Sequence, residues 1–298
     1  MKILIGIDGS RYALAATRFV CDYLAQPGRQ VDTVHVLPLK VRADAAPPRH
    51  QPESLRIPAA SRSWLDRAEK RLQARGFRTT RCVRRGLPAR VVPELIAKGD
   101  YDLVVVGAKG RSDIPFLPTG SVALAVLEHH VPANVVLVRG RELQREAEIA
   151  TQLHPFPVLF ATDGSSRIEA AARSFFRLFS VPQIRPTAVA VAEPPEPSAL
   201  AHMDSADRAQ LLRHLRDAAA GWARQAKPLL ARPGIRPQIR VLRGRPAPAI
   251  IEEARRSGAR LIVLGSRGAR SPSELPLGSV ALQVARLAPC SVLIVRET

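Results

Sequence analysis

The sequence predicts an α/β protein made of two tandem, doubly wound domains, each a five-stranded parallel sheet flanked by helices. Three observations carry that expectation. The chain repeats itself, with landmarks displaced by 155 to 158 residues. Within each copy, short runs of Val, Ile and Leu alternate with amphipathic stretches, the pattern of strands and crossover helices. The length, 298 residues, suits two domains at roughly 150 residues each.

The landmarks are specific. Ile3-Leu4-Ile5-Gly6-Ile7-Asp8-Gly9-Ser10 recurs as Val158-Leu159-Phe160-Ala161-Thr162-Asp163-Gly164-Ser165, an offset of 155. Gly86-Leu87-Pro88-Ala89 recurs as Gly244-Arg245-Pro246-Ala247, and Gly120-Ser121-Val122-Ala123-Leu124 as Gly278-Ser279-Val280-Ala281-Leu282, both at 158. Domains are expected over 1–140 and 155–298, joined by a charged linker over 141–154.

In chain order, apolar runs of four to seven residues read as buried parallel strands at 2–7, 31–37, 77–83, 103–106 and 134–138. Their counterparts are 157–162, 187–192, 236–242, 261–264 and 291–295. Helical spacing of apolar residues marks Ala59–Arg75 and Ala206–Leu230. The Pro-rich segments 39–57 and 193–205 lack periodicity and read as surface loops.

Composition narrows the function. The formal charge is +19, with +9 in residues 1–150 and +10 in 151–298, so no basic tail is attached to a neutral body. Aromatic residues make up only 4%, which argues against a single-strand binder with an aromatic platform. Cys21, Cys82 and Cys290 are too scattered for a disulfide framework or a metal cluster and read as small buried hydrophobes. No signal peptide and no run of 18 apolar residues is seen, so a cytoplasmic location is expected.

Chemistry is expected beyond the carboxyl ends of the strands. After the fourth strand comes Gly107-Ala108-Lys109-Gly110, then nine residues, then Gly120-Ser121; the second copy has Gly265-Ser266-Arg267-Gly268, nine residues, then Gly278-Ser279. Glycines let backbone N–H groups turn toward an anion, and a helix start offers unpaired donors and a positive dipole end. Lys109 and Arg267 add a cation, and the hydroxyls of Ser121 and Ser279 suit a phosphate oxygen or a Mg²⁺ shell. The competing reading makes the glycines plain turns and the serines plain caps. There is no G-x-x-x-x-G-K-[ST], no G-x-G-x-x-G after the first strand, no G-x-S-x-G and no H-E-x-x-H. His35, His129 and His130 have no partner at metal-ligand spacing.

These landmarks together resemble the universal stress protein family, in a tandem two-domain form. The resemblance implies a strand order of 3-2-1-4-5 and, in the branch carrying the glycine motif, binding of ATP. It implies that Asp8 and Val36 in the first copy, and Asp163 and Val191 in the second, hold the adenine. It implies that Gly107, Gly110, Gly120, Ser121 and Val122, and likewise Gly265, Gly268, Gly278, Ser279 and Val280, hold ribose and phosphates. Asp8 and Asp163 as mere helix caps is the alternative. The first copy's loop carries Asp113 and two prolines, and Thr119 stands where Leu277 does, so the second site is expected to bind better.

Each copy offers one carboxylate near the expected ligand, which favours a stress-response regulator with negligible or slow ATPase over a fast enzyme. ATP, or AMP or ADP, with Mg²⁺ is the expected ligand. The apolar fifth strands, Val135–Val138 and Val292–Val295, suggest an internal pseudo-dimer, with a homodimer also open. Two other readings remain: a scaffold with vestigial sites, and a nucleic-acid-associated basic protein using Arg78, Arg81, Arg84 and Arg85 with Arg236, Arg240, Arg243 and Arg245. Charges on a sheet edge also block aggregation, a sufficient structural reason for them.

Overall fold

A computed structural model describes residues 1–38, 56–111, 118–139, 155–181, 183–269 and 275–296. The linker 141–154, nearly all of the loop expected over 39–57, and Asp113 lie outside the described residues. The chain divides into two compact units, Met1–Val138 and Arg139–Thr298.

The first unit runs β1 (Lys2–Gly6), α1 (Arg11–Tyr23), β2 (Gln30–Leu37), α2 (Ala59–Gln73), β3 (Arg78–Arg85), α3 (Pro88–Lys98), β4 (Leu103–Gly107), α4 (Ser121–Glu128) and β5 (Asn134–Val138). All pairings are parallel, in the order β3-β2-β1-β4-β5. The second unit runs β6 (Phe156–Ala161), α5 (Arg167–Leu178), β7 (Ile184–Ala192), α6 (Pro197–Ala201), α7 (Ser205–Leu230), β8 (Gln238–Arg243), α8 (Pro246–Arg256), β9 (Leu261–Gly265), α9 (Ser279–Leu287) and β10 (Ser291–Val295). Its order, β8-β7-β6-β9-β10, is the same 3-2-1-4-5 arrangement.

The local reasons are plain. The inner strands are apolar on both faces because helices cover both sides: β4 and β9 are buried at every position but the terminal glycine. Helices bury one stripe; in α5 it is Ile168, Ala171, Ala172, Phe175 and Leu178. Helix α1 packs with α2 and α3 with α4, and in the second unit α5 packs with α7 and α8 with α9. Proline opens α3 and α8, where its missing N–H is unneeded.

One sequence expectation is corrected. Residues 193–205 are not all loop, since α6 occupies Pro197–Ala201 and α7 begins at Ser205. Pro197 presets the first helical turn and Leu200 is buried, which suffices for a single turn too short to show periodicity. Among the described residues, no helix is long and apolar enough to cross a membrane.

In both units the strand order reverses between the first and fourth strands, β1/β4 and β6/β9. A crevice at the carboxyl end of such a reversal is where ligands of open α/β sheets bind.

Candidate functional site

Two segments flank each reversal: the Asp-Gly-Ser turn after the first strand and the glycine loop after the fourth. In the first unit the Ile7 N–H still donates to the Val34 carbonyl at 2.8 Å, and the chain then turns away. Asp8 Oδ1 accepts from the Ser10 N–H at 3.0 Å, and Ser10 Oγ caps α1 by accepting from the Ala13 N–H at 3.1 Å. Asp8 is therefore not the helix cap. In the second unit Asp163 Oδ1 accepts from the Ser165 N–H (3.1 Å) and hydroxyl (2.7 Å), and the N-cap is Ser166.

The other carboxylate oxygen reaches the glycine loop. Asp8 Oδ2 accepts from the Arg111 N–H at 3.2 Å, and Asp163 Oδ2 from the Ala269 N–H at 2.5 Å. Arg111 and Ala269 each directly follow the second glycine of their motif. A Cβ on Gly110 would lie 2.8 Å from Asp8 Oδ2, so the glycine keeps this latch open. Burial alone would raise the Asp163 carboxyl, but hydrogen bonds from the Ser165 hydroxyl and from the Ala269 and Ser165 N–H groups leave it below its usual value.

The loop closes identically in both units: the Gly120 N–H donates to Ala108 O at 2.7 Å, and the Gly278 N–H to Ser266 O at 2.8 Å. Gly120 and Gly278 are the N-caps of α4 and α9, with no side chain to satisfy the first-turn donors. Ser121 and Ser279 occupy the first helical position with their residues exposed, so neither serine is the cap. Val122 and Val280 follow, half-buried, as are Lys109 and Arg267 between the first two glycines. Arg296, buried close enough to Arg267 to feel its charge, is pushed down to about 10, first by burial and then by that repulsion. Gly268 lies half-buried at the end of this loop, and its carbonyl accepts from Arg167 at 3.4 Å. Residues 112–117 and 270–274, the middle of each loop, lie outside the described residues. Thr119 and Leu277, at their ends, are both buried.

Gly107 and Gly265 have packing work of their own. A Cβ on Gly107 would stand 2.5 Å from Tyr12 Cβ, and one on Gly265 would stand 3.2 Å from Arg167 Cβ. The end of the fourth strand thus runs against the first turn of α1 or α5.

Val36 and Val191 sit where β2 and β7 outrun the first strand. Alternate residues of a parallel ladder bond to opposite neighbours. The Gly86 N–H donates to Leu37 O on the β3 side, whereas Val34 O serves Ile7 on the β1 side. Val36 therefore turns its peptide groups toward the β1 side, one step past the last bond to Ile7. The bonds Thr162 N–H to Val189 O and Gly244 N–H to Ala192 O place Val191 the same way.

The sequence reading passed over two residues at this place. Trp64 on α2 lies on Gly9, and Trp222 on α7 lies on Gly164. A Cβ on Gly9 would be 2.3 Å from Trp64 Cε2, and one on Gly164 would be 2.4 Å from Trp222 Cδ1. Both glycines hold positive φ, 80° and 84°. The signal was available: the chain has two tryptophans, and they are 158 residues apart.

Several of the edge arginines are engaged within the protein. Arg81 holds Asp66 at 2.6 Å and Glu69 at 2.5 Å, Arg78 donates to Gly28 O and Arg84 to Val83 O. Arg240 and Arg245 lie 3.8 Å from Glu253 and Glu196. Of the histidines, His35 Nδ1 donates to Ile7 O at 2.6 Å and His129 Nδ1 to Ala125 O at 2.7 Å. Among the described residues no group of three His, Cys, Asp or Glu side chains is placed to hold a metal ion.

Comparison with known proteins matches the chain to one family. The universal stress protein family matches residues 1–139 and again 156–296. A universal stress protein of Mycolicibacterium smegmatis is 28% identical over 306 residues, covering 99% of this chain and 96% of that one. One from Mycobacterium tuberculosis is 30% identical over 217 residues, 71% of this chain and 67% of its own. The crystal structure of a universal stress protein from Archaeoglobus fulgidus shares the fold, with a TM-score of 0.61 at 18% identity over 100% of this chain and 98% of that one. With the family matched twice over nearly the whole chain, and the 3-2-1-4-5 sheet present in each unit, this protein belongs to the universal stress protein family as a tandem two-domain member.

Proposed function

We propose that each unit binds one adenine nucleotide, ATP in the first instance, and that the protein works in the cytoplasm as a nucleotide-occupied stress-response regulator. The observation that carries this reading is the helix start at Gly120-Ser121 and Gly278-Ser279. Uncapped first-turn N–H groups and an exposed hydroxyl stand beside a glycine loop held by Asp8 or Asp163. Such a start attracts phosphate through its donors and its dipole.

In this reading Gly110, Gly120, Ser121 and Val122 hold the phosphates and ribose of the first site, with Gly107 shaping the strand end and Lys109 adding charge. Gly268, Gly278, Ser279, Val280, Gly265 and Arg267 do the same in the second. The outward peptide groups of Val36 and Val191 meet the base edge. Asp8 and Asp163 serve the base side of the site while latching the glycine loop. Mg²⁺ would be held by the phosphates and the hydroxyls of Ser121 and Ser279, where it would neutralise phosphate charge.

The same arrangement favours binding over turnover. Asp163 has both oxygens engaged by its own turn and by the loop, so it latches rather than orients water. Hydrolysis slower than about 1 s⁻¹ is expected, below the usual enzyme range. The domain limits 1–140 and 155–298 and the pairing of the two copies as an internal pseudo-dimer belong to this proposal.

The test is mass analysis of the nucleotide extracted by acid from purified protein, with its stoichiometry per chain. An adenine nucleotide at up to one per unit supports the proposal. Protein purified without any, and unable to take up added ATP, refutes it.

A further inference from the structure

The two units differ where the first helix meets the glycine loop. Tyr12 and Arg167 are equivalent there, each four residues after the aspartate of its Asp-Gly-Ser turn. The Cβ and Cδ of Arg167 lie 3.2 and 3.4 Å from a Cβ built on Gly265, so its aliphatic stem runs along the end of β9. Its Nη1 then donates to Gly268 O at 3.4 Å. The half-buried side chain therefore spans the loop from the first glycine of the motif to the second. Ser266, between these glycines, carries the start of α9 by accepting from the Gly278 N–H at 2.8 Å.

Helix electrostatics disfavour a cation at this place. Arg167 is the first residue of α5, where unbonded N–H groups and the positive dipole end suit an acid. Arg267 belongs to the same loop, its carbonyl 3.2 Å from the same Gly265 Cβ. Buried Arg296 is held below its usual value first by burial and then by the Arg267 charge. Three arginines and the starts of α5 and α9 thus bring positive charge to one loop, and an anion relieves the crowding. The bond to Gly268 O is long, since N–H···O bonds run about 2.7–3.2 Å. A charge-assisted bond to a phosphate oxygen is the stronger alternative. In the first unit Tyr12 is buried instead, and Arg11 is turned onto it, with Nη2 donating to the hydroxyl at 3.5 Å and Cζ 5.1 Å from the ring centroid.

We infer that Arg167 is a phosphate-contacting residue of the second site, exchanging Gly268 O for a phosphate oxygen, and that it makes this site the more selective for phosphate-bearing adenine ligands. The inference rests on the adenine-nucleotide reading above and adds one contact and one difference between the sites. A guanidinium grips two phosphate oxygens at once, which neither a phenol nor an ammonium does.

The test uses the full-length chain with one site silenced, Ser121→Glu leaving the second site and Ser279→Glu the first. Labelled ATP is followed by equilibrium dialysis, and adenosine by its competition with that ATP. The ratio of ATP to adenosine affinity is expected to be about tenfold larger in Ser121→Glu than in Ser279→Glu. Adding Arg167→Gln to Ser121→Glu weakens ATP about tenfold and changes adenosine less than about twofold. Arg167→Lys keeps the stem on Gly265 and the charge but loses the fork, and weakens ATP about threefold. Equal ratios at the two sites, or undiminished ATP binding in Arg167→Gln, overturn the inference. So does an equal loss of ATP and adenosine, the mark of a residue that only packs the loop; in each case the nucleotide reading stands. If dialysis finds no ATP on the parent protein, both fall.

Discussion

At the scale of single residues, the Asp-Gly-Ser turn is where the account is most exposed to test. Gly164 combines a positive φ with an indole on its Cβ side, whereas Gly234, also in the second unit, has a positive φ of 76° and nothing within 4 Å. Left-handed backbone costs a non-glycine residue about 1–2 kcal/mol, and overpacking adds about 1–3. Gly164→Ala is therefore expected to lose more stability than Gly234→Ala, by about 1–3 kcal/mol in urea unfolding. Equal losses would mean that the tryptophan yields freely. Asp163 gives a pH signature. Its folded carboxyl titrates below the usual carboxylate value of 3.8, so its stabilising contribution is fully present above that value. It is lost as pH falls through the lower folded value. The stability gap between the parent and Asp163→Asn should therefore be widest near neutral pH and shrink below about pH 4. A gap that is constant with pH would show that the carboxylate charge is not what holds the loop. Much at this scale was legible in the sequence, since Asp8, Gly110, Ser121 and their counterparts all lie where the repeat placed them. The tryptophans were passed over although their 158-residue spacing was on the page, because the 4% aromatic content is an average and hides two rings at one repeated position. The contacts of the aspartates also escaped the sequence, as a hydrogen bond to Arg111 or Ala269 spans more than 100 residues of chain.

At the scale of elements, strands and helices were readable because the inner strands of both units are buried on two faces and the helix stripes follow a 3.6-residue period. By contrast β3 and β8, expected as buried strands, are edges without a buried residue. The exception, α6, is too short for a period and opens on proline, so a composition reading sees only a loop. The starts of α4 and α9 allow a cleaner probe of the anion site than the glycines. Substituting Gly107 would drive a side chain into Tyr12 and disturb the packing itself. Ser121→Glu and Ser279→Glu instead place an acid at an exposed first helical position, where the dipole favours it by about 0.3–1 kcal/mol. Both variants should keep or slightly raise stability, while ATP binding falls at least about tenfold through repulsion of the phosphates. Unchanged binding would separate the helix start from the ligand. The edge strand β3 shows the opposite case, a feature whose explanation is structural. Arg81 ties β3 to Asp66 and Glu69 of α2 on a solvent-facing surface. Arg81→Ala is expected to cost no more than about 1 kcal/mol and to leave ATP affinity unchanged.

At the scale of the whole molecule, duplication explains why the charge excess divides almost evenly, +9 and +10, between the halves of the chain. A basic chain invites the idea of a nucleic-acid partner, but several edge arginines are tied to acidic or backbone groups of their own unit. Salt separates the two partners. Binding built on phosphate contacts along a nucleic acid weakens steeply as salt rises, because counterions are released. A nucleotide held by backbone donors and a helix dipole loses far less. The most direct measurement is equilibrium dialysis of ATP against the parent protein and the Ser121→Glu/Ser279→Glu double variant, at low and at high salt. The account predicts ATP on the parent at up to one per unit, retained at high salt, and little on the double variant at either. No ATP on the parent, or binding that vanishes with salt and ignores both substitutions, would contradict it.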